Sequence, residues 1–397
     1  MAHPERPLLV APASDDADDM GSYVFTSHDG FGLGHVRRNV SLAEAVLRRD
    51  PHADITVVTG VAADLPWLRR RDIRIVRVPT FVKDETGTYR NGVMTETQVL
   101  ERRAGTFQRV IETVRPDVVV VDRHPFGTKG ELRPGLDRCN QLGIATVLGL
   151  RDIIDDAGAV RRELASERWA GAADTYDHAL VYGARHVCDH EQEYGLPLTP
   201  EYVGWVMPEA MRPRRQPAVD PRLLVVAAGG GADGHDVRHI GTELVRRNRE
   251  WRGIMIVGPL ARNGGEFDGL DRLEVVGTVE RCGDLLMRAA ASVQMAGYNT
   301  TVEALAAGVK PLLVPRRAPR REQAIRASRF SSLGLADIVD AGADIAELSW
   351  LLHRPRRLDP RSLADAGVHL DGADRTAALL ADMAGIASRH DRLAVGR

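Results

Sequence analysis

Lysine is nearly absent. Among 397 residues only Lys83, Lys129 and Lys310 are lysines, so almost all of the 53 basic residues are arginines. With 55 acidic residues the net charge is −2, and no global positive field is available for nucleic acid or an anionic membrane surface. The same bias lowers the functional weight of any single arginine cluster. Cysteine is as sparse. Cys139, Cys188 and Cys282 are widely spaced, which excludes a metal-ligand pattern and a disulfide framework; reduced core thiols, no metal and no bound cofactor are expected. No apolar run approaches the ~20 residues of a membrane span. Residues 1–20 contain Asp15, Asp16, Asp18 and Asp19 and lack the basic and apolar stretches of a signal peptide. They read as a disordered lead-in, and a cytoplasmic location is expected.

What the chain has in quantity is alternation. Short β-rich runs at 23–27, 55–59, 73–78, 118–121, 145–150 and 179–182 are separated by helical patterns such as 36–49 and 99–114. Continuous apolar strands between helices predict a parallel sheet covered on both faces. Residues 207–221, with Pro208, Pro213, Pro217 and Pro221, break the rhythm and read as a linker. The alternation restarts at 223–227, 254–257, 273–276, 292–295 and 312–314. The expected organisation is a lead-in (1–20), a first Rossmann-like domain (21–206), the linker (207–221), a second Rossmann-like domain (222–345) and a helical segment (346–397). Two tandem doubly wound α/β domains place a ligand in the cleft at the carboxyl ends of their strands.

The most informative block is AGYNTTVEALAAGVKPLLVP at 296–315. It reads as a strand end, the turn Gly297–Asn299, a helix from Thr300, and a second buried strand. Asn299 is expected to be the N-cap, and the first-turn amides beyond it, including those of Thr300 and Thr301, form a ready phosphate site. Glu303 shares a face with Thr300. A carboxylate one turn into an anion-binding helix suits a ribose diol, which brings two donors, so the block suggests a nucleoside diphosphate.

Four further constellations follow buried strands. At 27–39 (SHDGFGLGHVRRN) the glycines fall at 30, 32 and 34, and His35 stands where a dinucleotide fingerprint needs glycine; a dehydrogenase is disfavoured. The head of a helix holds an imidazole neutral, which suits His35 as a general base. At 227–236 (AAGGGADGHD), Gly229, Gly230 and Gly231 form an amide-rich loop able to cradle a diphosphate. At 315–324 (PRRAPRREQA), Glu322 and Gln323 are candidates for sugar hydroxyls. At 121–131 and 149–155, Asp122, Arg123, His124, Glu131, Arg151 and Asp152 are candidates for the cleft; a carboxylate there could orient His35, with Asp122 in that catalytic role, and the others together with Arg37 could bind an acceptor. Structural ion pairs explain this set equally well.

With these residues placed, the chain resembles the GT-B glycosyltransferases, in particular the branch containing the N-acetylglucosaminyltransferase that completes lipid II. The resemblance covers roughly residues 22–345 and is most specific in 296–315 with Glu322-Gln323. It implies phosphate contacts from Asn299, Thr300 and Thr301, beside Gly34 and Gly297, a ribose contact from Glu303, donor-sugar contacts from Glu322 and Gln323, and packing of the nucleobase near Val279. Plant-type members have His where this chain has Gly297, and Asp where it has Glu322. The expected activity is inverting transfer of a sugar from a nucleotide diphosphate-sugar to a hydroxyl of a small, phosphorylated or acidic acceptor. Two other readings stay open: a nucleotide-sugar epimerase, which would turn over donor alone, and a non-catalytic sugar-nucleotide-binding partner of another transferase. Neither nucleic acid nor a transmembrane segment is expected, and monomer and homodimer are both compatible with the sequence.

Overall fold

The computed structural model describes residues 20–27, 33–62, 65–80, 82–83, 89–90, 94–211, 217–229, 234–258, 270–277, 279 and 282–385. Most of the expected lead-in, residues 28–32 of the first glycine turn, 212–216 of the linker, and Gly230 and Gly231 lie outside the described residues.

The first half contains, in order, β1 (Ser22–Ser27), α1 (Gly34–Arg49), β2 (Asp54–Thr59), β3 (Arg74–Arg77), a small antiparallel pair β4 (Val82–Lys83) and β5 (Tyr89–Arg90), α2 (Glu96–Val114), β6 (Val118–Asp122), α3 (Arg133–Leu142), β7 (Ala145–Arg151), α4 (Ala157–Leu164), α5 (Ala172–Thr175), β8 (His178–Tyr182) and β9 (Pro200–Tyr202). The second half contains β10 (Asp220–Ala227), α6 (His235–Arg247), β11 (Arg252–Ile256), β12 (Leu273–Val276), α7 (Cys282–Arg288), β13 (Ala289–Gln294), α8 (Tyr298–Ala306), β14 (Leu312–Leu313), α9 (Glu322–Ser332), β15 (Asp337–Ile338), α10 (Ile345–Leu352), α11 (Ser362–Asp365) and α12 (Gly372–Met383). β10 begins inside the stretch read as linker.

Two parallel sheets result, in the orders β3-β2-β1-β6-β7-β8-β9 and β12-β11-β10-β13-β14-β15. Both sheets are buried on two faces, as their unbroken apolar strands require. In β6, Val118 and Val120 point into one core and Val119 and Val121 into another. In β10, Leu224 and Val226 separate from Leu223 and Val225 in the same way. Strand order reverses at the β1/β6 and β10/β13 neighbours, and such switch points leave a crevice beyond the strand ends. Register places Ser27 beside Asp122 in the first sheet and Ala227 beside Gln294 in the second. The ends of β1 and β6 are therefore level in the first sheet, and those of β10 and β13 in the second.

The halves are fastened by a buried ion pair. Arg326 of α9 holds Asp152, just beyond β7, with Nη2–Oδ1 at 2.7 Å and Nε–Oδ2 at 3.0 Å. Each side chain is 1% exposed. Trp205 Nε1 donates to Asp152 Oδ2 at 3.1 Å, and Arg326 Nη1 donates to the Ala296 carbonyl at 2.9 Å. One apolar cluster runs through the same junction, joining Tyr23 and Phe25 of β1 to Tyr298 and Val302 of α8, Phe330 of α9 and Leu380 of α12. After β15 the chain first covers the second sheet, with Leu348 and Leu352 of α10 in its core. It then returns to the first half, where α12 lies against α1 and Arg48 Nη2 donates to Asp374 at 2.7 Å.

Removing one partner of a buried pair strands the other charge, at a cost of ~3–5 kcal/mol. Asp152→Ala is expected to lower the urea midpoint accordingly, and Asp152→Leu with Arg326→Met to recover most of the loss. An unchanged midpoint in Asp152→Ala would show that the pair does not fasten the halves.

Candidate active site

α1 and α8 start on opposite sides of the crevice, each directly after a switch-point strand. Neither has an acidic residue in its first turn, so the positive ends of two helix dipoles face one space. Asn299 Nδ2 donates to the Gly34 carbonyl at 3.4 Å, and Arg37 Nη2 lies 3.0 Å from Glu303 Oε1. The first residue of α1 thus touches the first turn of α8, and the carboxylate that looked misplaced in an anion-binding helix has its counter-ion in the other half. The Cys282 thiol is also beside Glu303; burial first, and then this carboxylate, push the thiol up.

His35 is the second residue of α1, and Asp122 is the last of β6. Their closest atoms, His35 Nδ1 and Asp122 Oδ1, are 3.3 Å apart, with the histidine side chain 16% exposed and the carboxylate wholly buried. With Nδ1 protonated toward Asp122, Nε2 keeps its lone pair and can accept a proton. Arg38 completes a triangle. Its Nη2 is 2.7 Å from Asp122 Oδ1, 2.6 Å from Oδ2 and 3.1 Å from His35 Nδ1. Burial opposes ionisation of Asp122, but Arg38 and then His35 outweigh it and hold the carboxyl at about 2. The His35 imidazole is pushed below its ordinary value, by burial first; Asp122 opposes the shift and Arg38 adds to it. The backbone turns left-handed immediately afterwards, with φ of 43° at Arg123 and 58° at His124. Such conformations are costly for non-glycine residues and concentrate at functional sites.

Several expectations need correction. Gly297, not Asn299, is the N-cap of α8, and Asn299 lies within the first turn. Thr301 is fully buried. The Thr300 hydroxyl donates to the carbonyls of Met295 and Gly297, at 2.9 and 3.1 Å. The Asp152 carboxylate, expected at the cleft, is spent on Arg326. Glu131 is likewise spent: its buried carboxylate holds Arg103 at 3.1 Å and the Lys129 amide at 2.9 Å. Arg123 is 1% exposed and bonded to Glu163 of α4 at 3.1 Å, so it too stands behind the surface of the site.

The remaining expected residues have the following partners. His124 lies 3.4 Å from Glu163 and is pushed down to about 4, mainly by burial. Arg151 donates to the Ile154 carbonyl at 3.2 Å; burial, and then the charge of Arg123, push it to about 9. Gln323 Oε1 accepts from the Arg316 amide at 3.1 Å, and Glu322 pairs with the Arg316 side chain at 3.3 Å. Gly229 adopts φ of 74° at the end of β10, where a glycine is favoured, and Val279 packs partly buried beside α7. Sequence reasoning missed Arg38, Tyr182, Tyr298 and Arg326. For Arg38 a signal existed: it lies one helical turn from His35, on the same face.

The Asp122 carboxyl is depressed, so its ionisation stabilises the fold fully above about 3.8 and ever less as the pH falls toward 2. A shift of that size corresponds to about 2 kcal/mol. Asp122→Asn is expected to be that much less stable at pH 7 and to approach the unsubstituted protein near pH 2, as read from urea midpoints between pH 6 and pH 2. A constant difference at every pH would rule this out.

No protein-family model and no curated protein sequence matches the chain. Solved structures do. Medicago truncatula UGT71G1 complexed with UDP-glucose is similar over 94% of this chain and 100% of that one, at 13% identity and a TM-score of 0.61. The Streptomyces nogalater glycosyltransferase SnogD matches 95% of this chain and 99% of that one, at 18% identity and a TM-score of 0.54. Acinetobacter baumannii MurG matches 90% and 94%, at 15% identity and a TM-score of 0.54. No helix among the described residues is long and apolar enough to cross a membrane. The architecture, two Rossmann-like halves joined around one cleft, is the GT-B fold.

Proposed function

We propose that the protein is an inverting glycosyltransferase that uses a nucleoside diphosphate-sugar, with a uridine diphosphate-sugar as the first candidate donor. The observation that carries this reading is the His35–Asp122 pair at the head of α1, set across the crevice from the α8 N-terminus. The pair supplies a neutral base beside a carboxylate that orients it. The helix supplies amides and a positive dipole end where a leaving diphosphate gains charge. The solved structures of Medicago truncatula UGT71G1 with UDP-glucose and of Arabidopsis thaliana UGT89C1 with UDP-L-rhamnose support the choice of nucleotide.

In this mechanism the diphosphate lies against the first turn of α8, with Gly229 at its other side. Glu303 takes the ribose hydroxyls, and Glu322 with Gln323 takes hydroxyls of the sugar. The acceptor enters from the first half, near Arg37, His124 and Arg151. Its hydroxyl proton passes to His35 Nε2 while its oxygen bonds to the anomeric carbon. The bond from that carbon to the diphosphate breaks, and the diphosphate leaves with the electron pair. Attack from the face opposite the leaving group inverts the anomeric centre. A site closed between two domains also keeps water from the donor.

His35→Ala is expected to bind UDP normally and to lose at least ~100-fold in turnover, the usual scale for a general base; near-normal turnover would remove the assignment. Glu303→Ala is expected to weaken UDP binding, and an unchanged dissociation constant would sink the ribose role. Ligand stabilisation grows with the ratio of ligand to dissociation constant, so a thermal-shift panel of UDP, GDP and dTDP ranks the nucleotides. No shift with any of them would count against the donor site itself.

A further inference from the structure

A carboxylate beside a histidine usually raises the proton affinity of the ring, because it favours the imidazolium. A buried, ionised Asp122 only 3.3 Å from Nδ1 would therefore work against a base that must be unprotonated near neutral pH. Something has to cancel that pull. Arg38 is placed to do so, with one guanidinium nitrogen in contact with both carboxylate oxygens and with the ring nitrogen. Arg38 itself lies over two aromatic rings: its guanidinium carbon is 5.3 Å from the Tyr182 ring centre and 5.1 Å from the Tyr298 ring centre. Both rings are buried, and a cation over aromatic rings is stabilised most where water is excluded. Tyr182 ends β8 of the first half, whereas Tyr298 opens α8 of the second. Val206 fixes the Tyr298 hydroxyl by donating its amide at 2.9 Å. Gly149 of β7 leaves the room that Tyr182 occupies, since a Cβ there would meet the tyrosine hydroxyl.

We propose that Arg38 is a positioning residue that keeps His35 unprotonated by offsetting the charge of Asp122, and that its contact with the Tyr182 and Tyr298 rings makes this offset depend on the second half being in place. The inference rests on His35 being the base. The charged and titratable groups facing His35 fit it. From α1 comes Arg38, with Arg37 drawn off to Glu303; from β6 comes Asp122; from β7 comes Arg151, a second cation that disfavours the imidazolium. Tyr182 and Tyr298 stay protonated, because burial pushes both phenols far up. Among the described residues, Asp122 is thus the anion these groups place beside the ring, and Arg38 is its direct counter-charge.

The test is the pH dependence of turnover. A base loses activity as it protonates, so turnover falls toward acid. In Arg38→Met the uncancelled Asp122 raises the proton affinity of His35 and moves this acidic limb to higher pH. The ratio of turnover at pH 8 to that at pH 6 is expected to rise at least about threefold, with UDP binding retained. Arg38→Lys, which keeps the charge, is expected to leave the limb near its original position. A loss in Arg38→Met that is equal at every pH would overturn the inference while leaving the base reading intact. Retained activity in His35→Ala would instead overturn the base reading. A measurement on the unsubstituted protein covers the case in which Arg38→Met fails to fold. The His35 ring, assigned in nitrogen NMR spectra through His35→Gln, is expected to titrate below its ordinary 6.5, and titration above that value would overturn the inference.

Discussion

The bidentate contact between Arg326 and Asp152 is the constraint on which the geometry of the site depends. Two Rossmann-like halves of one chain move relative to one another by default. Here one arginine reaches from α9 to the end of β7 and also caps the Ala296 carbonyl, immediately before the N-cap of α8. Fixing that carbonyl fixes where α8 begins, and so where its amides and Tyr298 stand relative to α1. The pair need not add net stability, since desolvating two charges cancels much of their attraction. Its effect is directional. An apolar contact would hold the halves together but would not set the register of two helix N-termini to within a hydrogen-bond length.

The same logic accounts for the arginines around the crevice. Arg37, Arg38, Arg123, Arg316 and Arg326 each have a carboxylate partner within hydrogen-bonding or ion-pair distance. Arg151 is the exception among these neighbours, bonded to a carbonyl and depressed by burial and by the cations around it. Most of these guanidinium groups are therefore internal fixings for the strand ends and not free anion receptors. Asp122, Asp152 and Glu131 follow the same pattern from the acidic side. A buried charge is retained only when paired, and each of these three carboxylates has an arginine partner within the frame.

This explains how much was legible in the sequence. The βα alternation, the two sheets and the helix that carries His35 could be read because they depend on local periodicity and on residues a few positions apart. The strands β9 and β15 escaped because they are two or three residues long, and β9 opens on a proline; their place is set by neighbours already in the sheet. Asn299 looked like the N-cap by residue type, but the chain enters the helix at Gly297, and the buried Tyr298 becomes its first residue. The pairing of Arg326 with Asp152 joins positions 174 apart, a distance no local pattern spans. Arg38 and Arg326 were hidden for a further reason. In a chain with 50 arginines a single arginine carries little information, and the discount that guards against over-reading clusters also conceals the few that matter.

Glu303 shows what the structure adds to a residue the sequence had already singled out. Read alone, it opposes the anion-binding character of its own helix. In the fold its carboxylate is 3.0 Å from Arg37, two residues beyond His35. On the proposed reading, a ribose diol brings two donors to the carboxylate that Arg37 holds. The two must share it or exchange, and Arg37 belongs to the same turn of α1 as the base. Occupation of the donor site is then felt at the head of α1 through one side chain, without any movement of the sheets. On that reading, the negative charge in an otherwise positive helix start links the two halves of the reaction: it would receive the nucleoside on one side while holding the helix of the proposed base on the other.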